Sequence, residues 1–65
     1  MKEYKYRVSV KCKDTGDIIE LYVWAENGEI ATNKLCDVLI GYRCEYEWRG
    51  TDPMYKNNQI VSRDI

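Results

Sequence analysis

The chain has 65 residues, 10 Lys and Arg against 11 Asp and Glu, 45% hydrophobic residues and no histidine. That length holds one domain with one small core, and the balanced charge excludes a polybasic nucleic-acid arm and a strongly acidic DNA mimic alike. A domain this size buries only about 60% of its unfolded surface, which limits stability to about 3–5 kcal/mol from a single core.

No apolar run reaches the roughly 7–15 residues of a signal peptide or the roughly 20 of a membrane span, so a soluble, cytoplasmic protein is expected. Cys12, Cys36 and Cys44 cannot all pair, and their spacing fits no zinc or redox motif. All three fall in or beside apolar rows, where free cysteine behaves as a small hydrophobe; buried reduced thiols are the expectation.

Residues 3–12 open the chain with strict alternation. Tyr4, Tyr6, Val8, Val10 and Cys12 are interleaved with Glu3, Lys5, Arg7, Ser9 and Lys11, the period of a strand with one wet face. The turn signal KDTGD follows, then a second strand over 18–25. With Asp14 opposite Asp17, Cys12 faces Ile19, Val10 faces Leu21, Val8 faces Val23 and Tyr6 faces Ala25. The other side then pairs Lys11 with Glu20, Ser9 with Tyr22 and Arg7 with Trp24, the last a cation–π pair.

A helix is predicted over 28–40, capped by Asn27, with Glu29 at the positive end of its dipole and Gly41 as its stop. Ala31, Leu35, Val38 and Leu39 form the stripe that should face the sheet. Alternation returns over 42–49, with Tyr42, Cys44, Tyr46 and Trp48 against Arg43, Glu45, Glu47 and Arg49. Residues 50–65 read as turn and tail, opened by the breaker GTDP, with room for a short fourth strand near Gln59–Ser62. Strand directions then give an α+β fold: a two-layer β-β-α-β sandwich, antiparallel sheet order 2-1-3, one helix on one face.

Chemistry finds little footing in this pattern. Glu45 with Glu47, and Asp14 with Asp17, are the candidate acid–base pairs, but the first reads as a solvated strand face and the second as turn chemistry. A lone thiol such as Cys44 lacks a histidine to activate it. No catalytic, cofactor or metal site is predicted.

A partner surface is the stronger reading. Ile18, Tyr22 and Trp24 form a second apolar row on the outer strand, flanked by Arg7 and Lys11 on the next. Trp, Tyr and Arg dominate binding hot spots, and an edge strand also offers backbone groups to a partner strand. A non-enzymatic protein-binding module follows, expected to self-associate as a homodimer through the second strand or the sheet face. Two alternatives stand beside it. One is a single-stranded nucleic-acid binder that stacks bases on Tyr22 and Trp24 beside Arg7 and Lys11; the other is a structural homo-oligomer subunit. The structural alternative to a partner is that the C-terminal residues Tyr55, Ile60 and Val61 cover the row.

In size and layout (very short, aromatic-rich, hairpin then helix then strand) the chain resembles the accessory proteins of phages and other mobile elements of bacteria. That resemblance implies a role in binding and modulating a host or phage protein, such as a defence system.

Overall fold

Strand β1 (Lys2–Cys12) is the spine of the sheet, as its unbroken alternation implies. The computed structural model describes residues 1–40 and 45–65. Strand β2 (Ile18–Ala25) lies on one side of β1, and β3 (Tyr46–Pro53) and β6 (Ser62–Asp64) share the other. Every pairing is antiparallel. One helix, α1 (Gly28–Leu39), joins β2 to the segment before β3. The result is the small α+β sandwich with order β2-β1-β3, and the fourth strand is β6 rather than residues 59–62.

The β1–β2 hairpin keeps the predicted faces but not the predicted partners. Val10 opposes Ile19, Val8 opposes Leu21, Tyr6 opposes Val23 and Tyr4 opposes Ala25. The register is thus one full pleat away from the expected one, which preserves every in-or-out assignment. The turn explains the shift. A two-residue turn at Thr15-Gly16 would need positive φ at Thr15 in either favoured hairpin type, which a β-branched threonine resists. Instead the Gly16 N–H donates to the Cys12 carbonyl at 2.8 Å, Gly16 takes φ 79°, and the Cys12 N–H donates to the Asp17 carbonyl at 2.8 Å.

The helix begins as predicted. The Asn27 Oδ1 accepts from the Ile30 N–H at 2.9 Å, and Glu29 sits in the first turn. Ala31 and Leu35 are buried against Val8, Val10 and Ala25, with Leu39 partly buried beside them. Burying a leucine of this kind contributes roughly 1.5–3 kcal/mol. Val38 departs from the predicted stripe: it is exposed, one turn beyond Leu35. Thr32 ties the helix to the far strand, its Oγ1 2.7 Å from the Thr51 Oγ1 and donating to the Gly28 carbonyl at 2.9 Å.

Strand β3 is displaced from the predicted 42–49. Of that range, Tyr42, Arg43 and Cys44 lie outside the described residues, as does the helix stop Gly41. The strand runs on through the supposed breaker. Tyr6 opposes Pro53, and the Tyr6 backbone bonds belong to β2, so the missing proline N–H costs the ladder nothing. A bulge between Ser9 and Val10 leaves Arg49 as the extra residue, so Trp48 and Thr51 share the helix-side face although three apart.

Residues 50–65 are therefore no tail. Strands β4 (Tyr55–Lys56) and β5 (Gln59–Ile60) make a hairpin closed by Asn57 (φ 52°) and Asn58 (φ 63°), the type I′ geometry that asparagine tolerates. Its base is fastened to one residue of β1. Lys5 donates to the Val61 carbonyl at 3.0 Å and accepts from the Met54 N–H at 2.8 Å, while Val61 donates to the Met54 carbonyl at 2.9 Å. The hairpin thus projects from a single edge strand that β3 leaves and β6 resumes.

The cysteines also depart from expectation. Cys12 is buried but disulfide-bonded, and Cys36 is a free thiol that is exposed rather than buried. Cys44 lies outside the described residues. The cysteines therefore no longer argue for a reducing compartment. Among the described residues, no helix is long and apolar enough to cross a membrane.

Candidate functional site

The helix covers one face of the sheet and leaves the other open. The open face carries Glu3, Lys5, Arg7, Ser9 and Lys11 from β1 and Ile18, Glu20, Tyr22 and Trp24 from β2. All five predicted partner-binding residues, Ile18, Tyr22, Trp24, Arg7 and Lys11, lie on it. Their neighbours are not the predicted ones. Lys11 opposes Ile18 and not Glu20, Arg7 opposes Tyr22 and not Trp24, and Lys5 opposes Trp24. Each change follows from the one-pleat register shift.

Two zones result. Around Trp24 the face is built over. The Arg63 guanidinium lies 4.5 Å from the Trp24 ring centroid and the Lys5 Nζ lies 5.9 Å from it, leaving the indole half-buried. Glu3 holds that arrangement in place. Its Oε1 accepts from both the Arg63 Nε (3.0 Å) and Nη2 (2.8 Å), and its Oε2 is 3.7 Å from the Lys34 Nζ. The C-terminus does cover part of the second apolar row, but through Arg63. Tyr55 and Ile60 stand exposed on the projecting hairpin instead.

Around Tyr22 and Ile18 the face stays open. Ile18 is 52% and Tyr22 is 53% exposed. Lys5 lies 5.7 Å from the Tyr22 ring, and Arg7 is drawn toward β3 by Asp52 at 3.5 Å. Beyond them a wide, shallow depression is lined by Lys11, Gly16, Ile18, Glu47, Trp48 and Arg49. It is too open to desolvate a carboxylate for acid–base work. Among the described residues, no group of three or more His, Cys, Asp or Glu could hold a metal ion.

The backbone of β2 adds a second element. The Cys12–Asp17 bond sets the phase of the ladder, so Ile19, Leu21, Val23 and Ala25 turn their amides toward β1. Ile18, Glu20, Tyr22 and Trp24 turn theirs outward, to the free side of an edge strand. The outward phase is visible at Trp24, whose carbonyl accepts from the Lys34 Nζ. Further up the edge, Ile18, Glu20 and Tyr22 have no backbone partner among the described residues.

Sequence reasoning missed Glu3, Lys34 and Arg63 as neighbours of Trp24. Alternation does place Glu3 and Lys5 on the correct face. Arg63 carries no local signal, because it arrives through a pairing of the two chain ends. Comparison with known protein families, with curated proteins and with solved structures finds no match to this chain.

Proposed function

We propose that this protein is a non-enzymatic protein-binding module that docks an extended segment of its target along β2. The observation that carries this reading is the run of outward backbone groups at Ile18, Glu20 and Tyr22, unpaired among the described residues and flanked by two exposed apolar side chains. Backbone bonds to an added strand supply affinity, and side chains at alternate positions supply selectivity. Ile18 and Tyr22 would contact the added strand directly, with Arg7 and Lys11 behind them; Trp24, capped by Arg63 and Lys5, supports the end of the edge. The cap also leaves its indole poorly placed to stack nucleic-acid bases, which makes the nucleic-acid reading weaker. A modulator of a host protein, the role implied by the likeness to mobile-element accessory proteins, fits a module of this kind.

The test uses the edge amide itself. Tyr22→Pro removes one outward N–H and leaves the β1 ladder intact, since the ladder donors are its neighbours Leu21 and Val23. Peptides enriched from a random displayed library against the wild type should lose binding to Tyr22→Pro and retain more of it to Tyr22→Thr, which loses the ring but keeps the outward N–H. Enriched peptides that bind Tyr22→Pro and wild type equally well would dismiss the edge as the docking site.

A further inference from the structure

We infer that β2 is built to accept an extended segment of a different protein, with a lysine or arginine opposite Glu20 and apolar residues opposite Ile18 and Tyr22, and to refuse a second copy of itself. This rests on the reading of β2 as a docking edge and names the partner that edge selects.

Two antiparallel β2 strands related by a two-fold axis have only a few registers open to them. One register uses only the free groups, pairing Ile18 with Tyr22 of the second copy. It also places Glu20 directly opposite its own copy at a Cα separation of about 5.5 Å, an arrangement of like charges that destabilises a strand pair. Glu20 has no ion pair among the described residues to offset this, since its own neighbour on β1 is Ser9.

Sliding the copies to separate the two carboxylates pairs Glu20 with Tyr22 or with Trp24. Either register brings the Trp24 carbonyl into the ladder, where the Lys34 ammonium already engages it in both copies and stands in the way of the added strand. Sliding the other way carries the partner into the turn, where Gly16 at φ 79° is no longer extended. Every symmetric register thus meets a charge, a lysine or a turn. Charged side chains along an exposed edge, and cover of the edge by a neighbouring element, are familiar means of keeping sheet edges from pairing with themselves.

A foreign strand meets none of these obstacles over residues 18–22. Opposite Glu20 a lysine or arginine makes a cross-strand ion pair in place of the repulsion. Opposite Ile18 and Tyr22, β-branched or aromatic residues cover two side chains that are more than half exposed. Lys34 fixes the far limit of the added strand by closing the edge at Trp24.

The probe is the protein's own edge with the charge reversed. Sedimentation velocity over a wide concentration range is run on wild type, on Glu20→Lys, on Glu20→Thr and on an equimolar mixture of wild type with Glu20→Lys. Wild type and Glu20→Lys alone should remain monomeric, because each presents like charges to its copy. The mixture should form a heterodimer, and Glu20→Thr should self-associate more tightly than wild type by up to about 5-fold, the factor set by removing one cross-strand like-charge pair. Wild type that dimerises as tightly as Glu20→Thr would overturn the inference; if Tyr22→Pro abolished that dimer, the edge would still stand as a docking site. A mixture no more associated than its parts would overturn the charge rule, whereas loss of the docking reading itself shows only in the peptide selection.

Discussion

Replacing Arg63 with alanine strips the cover from Trp24 and leaves the indole in place. The substitution removes two hydrogen bonds to Glu3 Oε1, at 3.0 and 2.8 Å, and a guanidinium 4.5 Å from the ring centroid. The Arg63 side chain is 52% exposed and the Glu3 side chain 13%, so the ion pair falls at the upper end of the surface range, about 1 kcal/mol. The cation–π contact adds about 0.5–1 kcal/mol. A loss of about 1.5–2 kcal/mol is a large share of what a single small core supplies, and for a domain of this size it lowers Tm by roughly 6–16 °C. Urea titration followed by tryptophan emission reads the effect, with Trp48→Phe as background so that Trp24 alone reports. Emission of the folded Arg63→Ala protein should shift to the red, and a cycle with Trp24→Leu, followed by far-ultraviolet circular dichroism because no tryptophan remains in it, should show a coupling of about 0.5–1 kcal/mol. Zero coupling with unshifted emission would mean that Arg63 does not cover the ring.

Leu35→Ala should cost about 2–5 kcal/mol and leave the chain largely unfolded at 25 °C by far-ultraviolet circular dichroism, because Leu35 is 1% exposed at the centre of the core. Gly16→Ala should cost about 1–2 kcal/mol in urea denaturation, since φ 79° is unfavourable for any residue with a Cβ; an unchanged midpoint would reject the turn described. Iodoacetamide without reductant should modify Cys36 and spare Cys12, as mapped by peptide mass spectrometry, and modification of both would reject the disulfide.

Alternation in β1 and β2 makes their faces legible without any structure. A slip of one residue would bury charge, but a slip of two preserves every face and is invisible to the pattern. That is why the predicted face was right and every predicted cross-strand neighbour on it was wrong. The choice between the two registers lay in the backbone geometry of the turn around Gly16. The helix start was legible for a local reason, the Asn27 cap, and the order β2-β1-β3 followed from strand direction alone. Strand β3 was misplaced because Pro53 breaks a strand only where its N–H would have to serve the ladder, and because Gly50 stands beside the bulge at Arg49, a place in a strand that suits glycine. The turn at Asn57-Asn58 did leave a signal, two adjacent residues tolerant of positive φ between short strand-forming pairs. Arg63 left none. Its role depends on Lys2–Tyr4 pairing with Ser62–Asp64, a contact between chain ends that no local pattern encodes.

The way Lys5 binds both Met54 and Val61 gives the sheet a socket. Because those two residues also bond to each other, everything between them is closed off before it leaves the surface, and the edge strand beneath is continuous without it. A longer, shorter or differently worded loop could be seated there and the scaffold would not register its length. In that respect the projecting hairpin, with Tyr55 and Ile60 displayed on it, is interchangeable cargo. It is the position on this small domain best suited to carrying a grafted epitope without disturbing either β2 or the core.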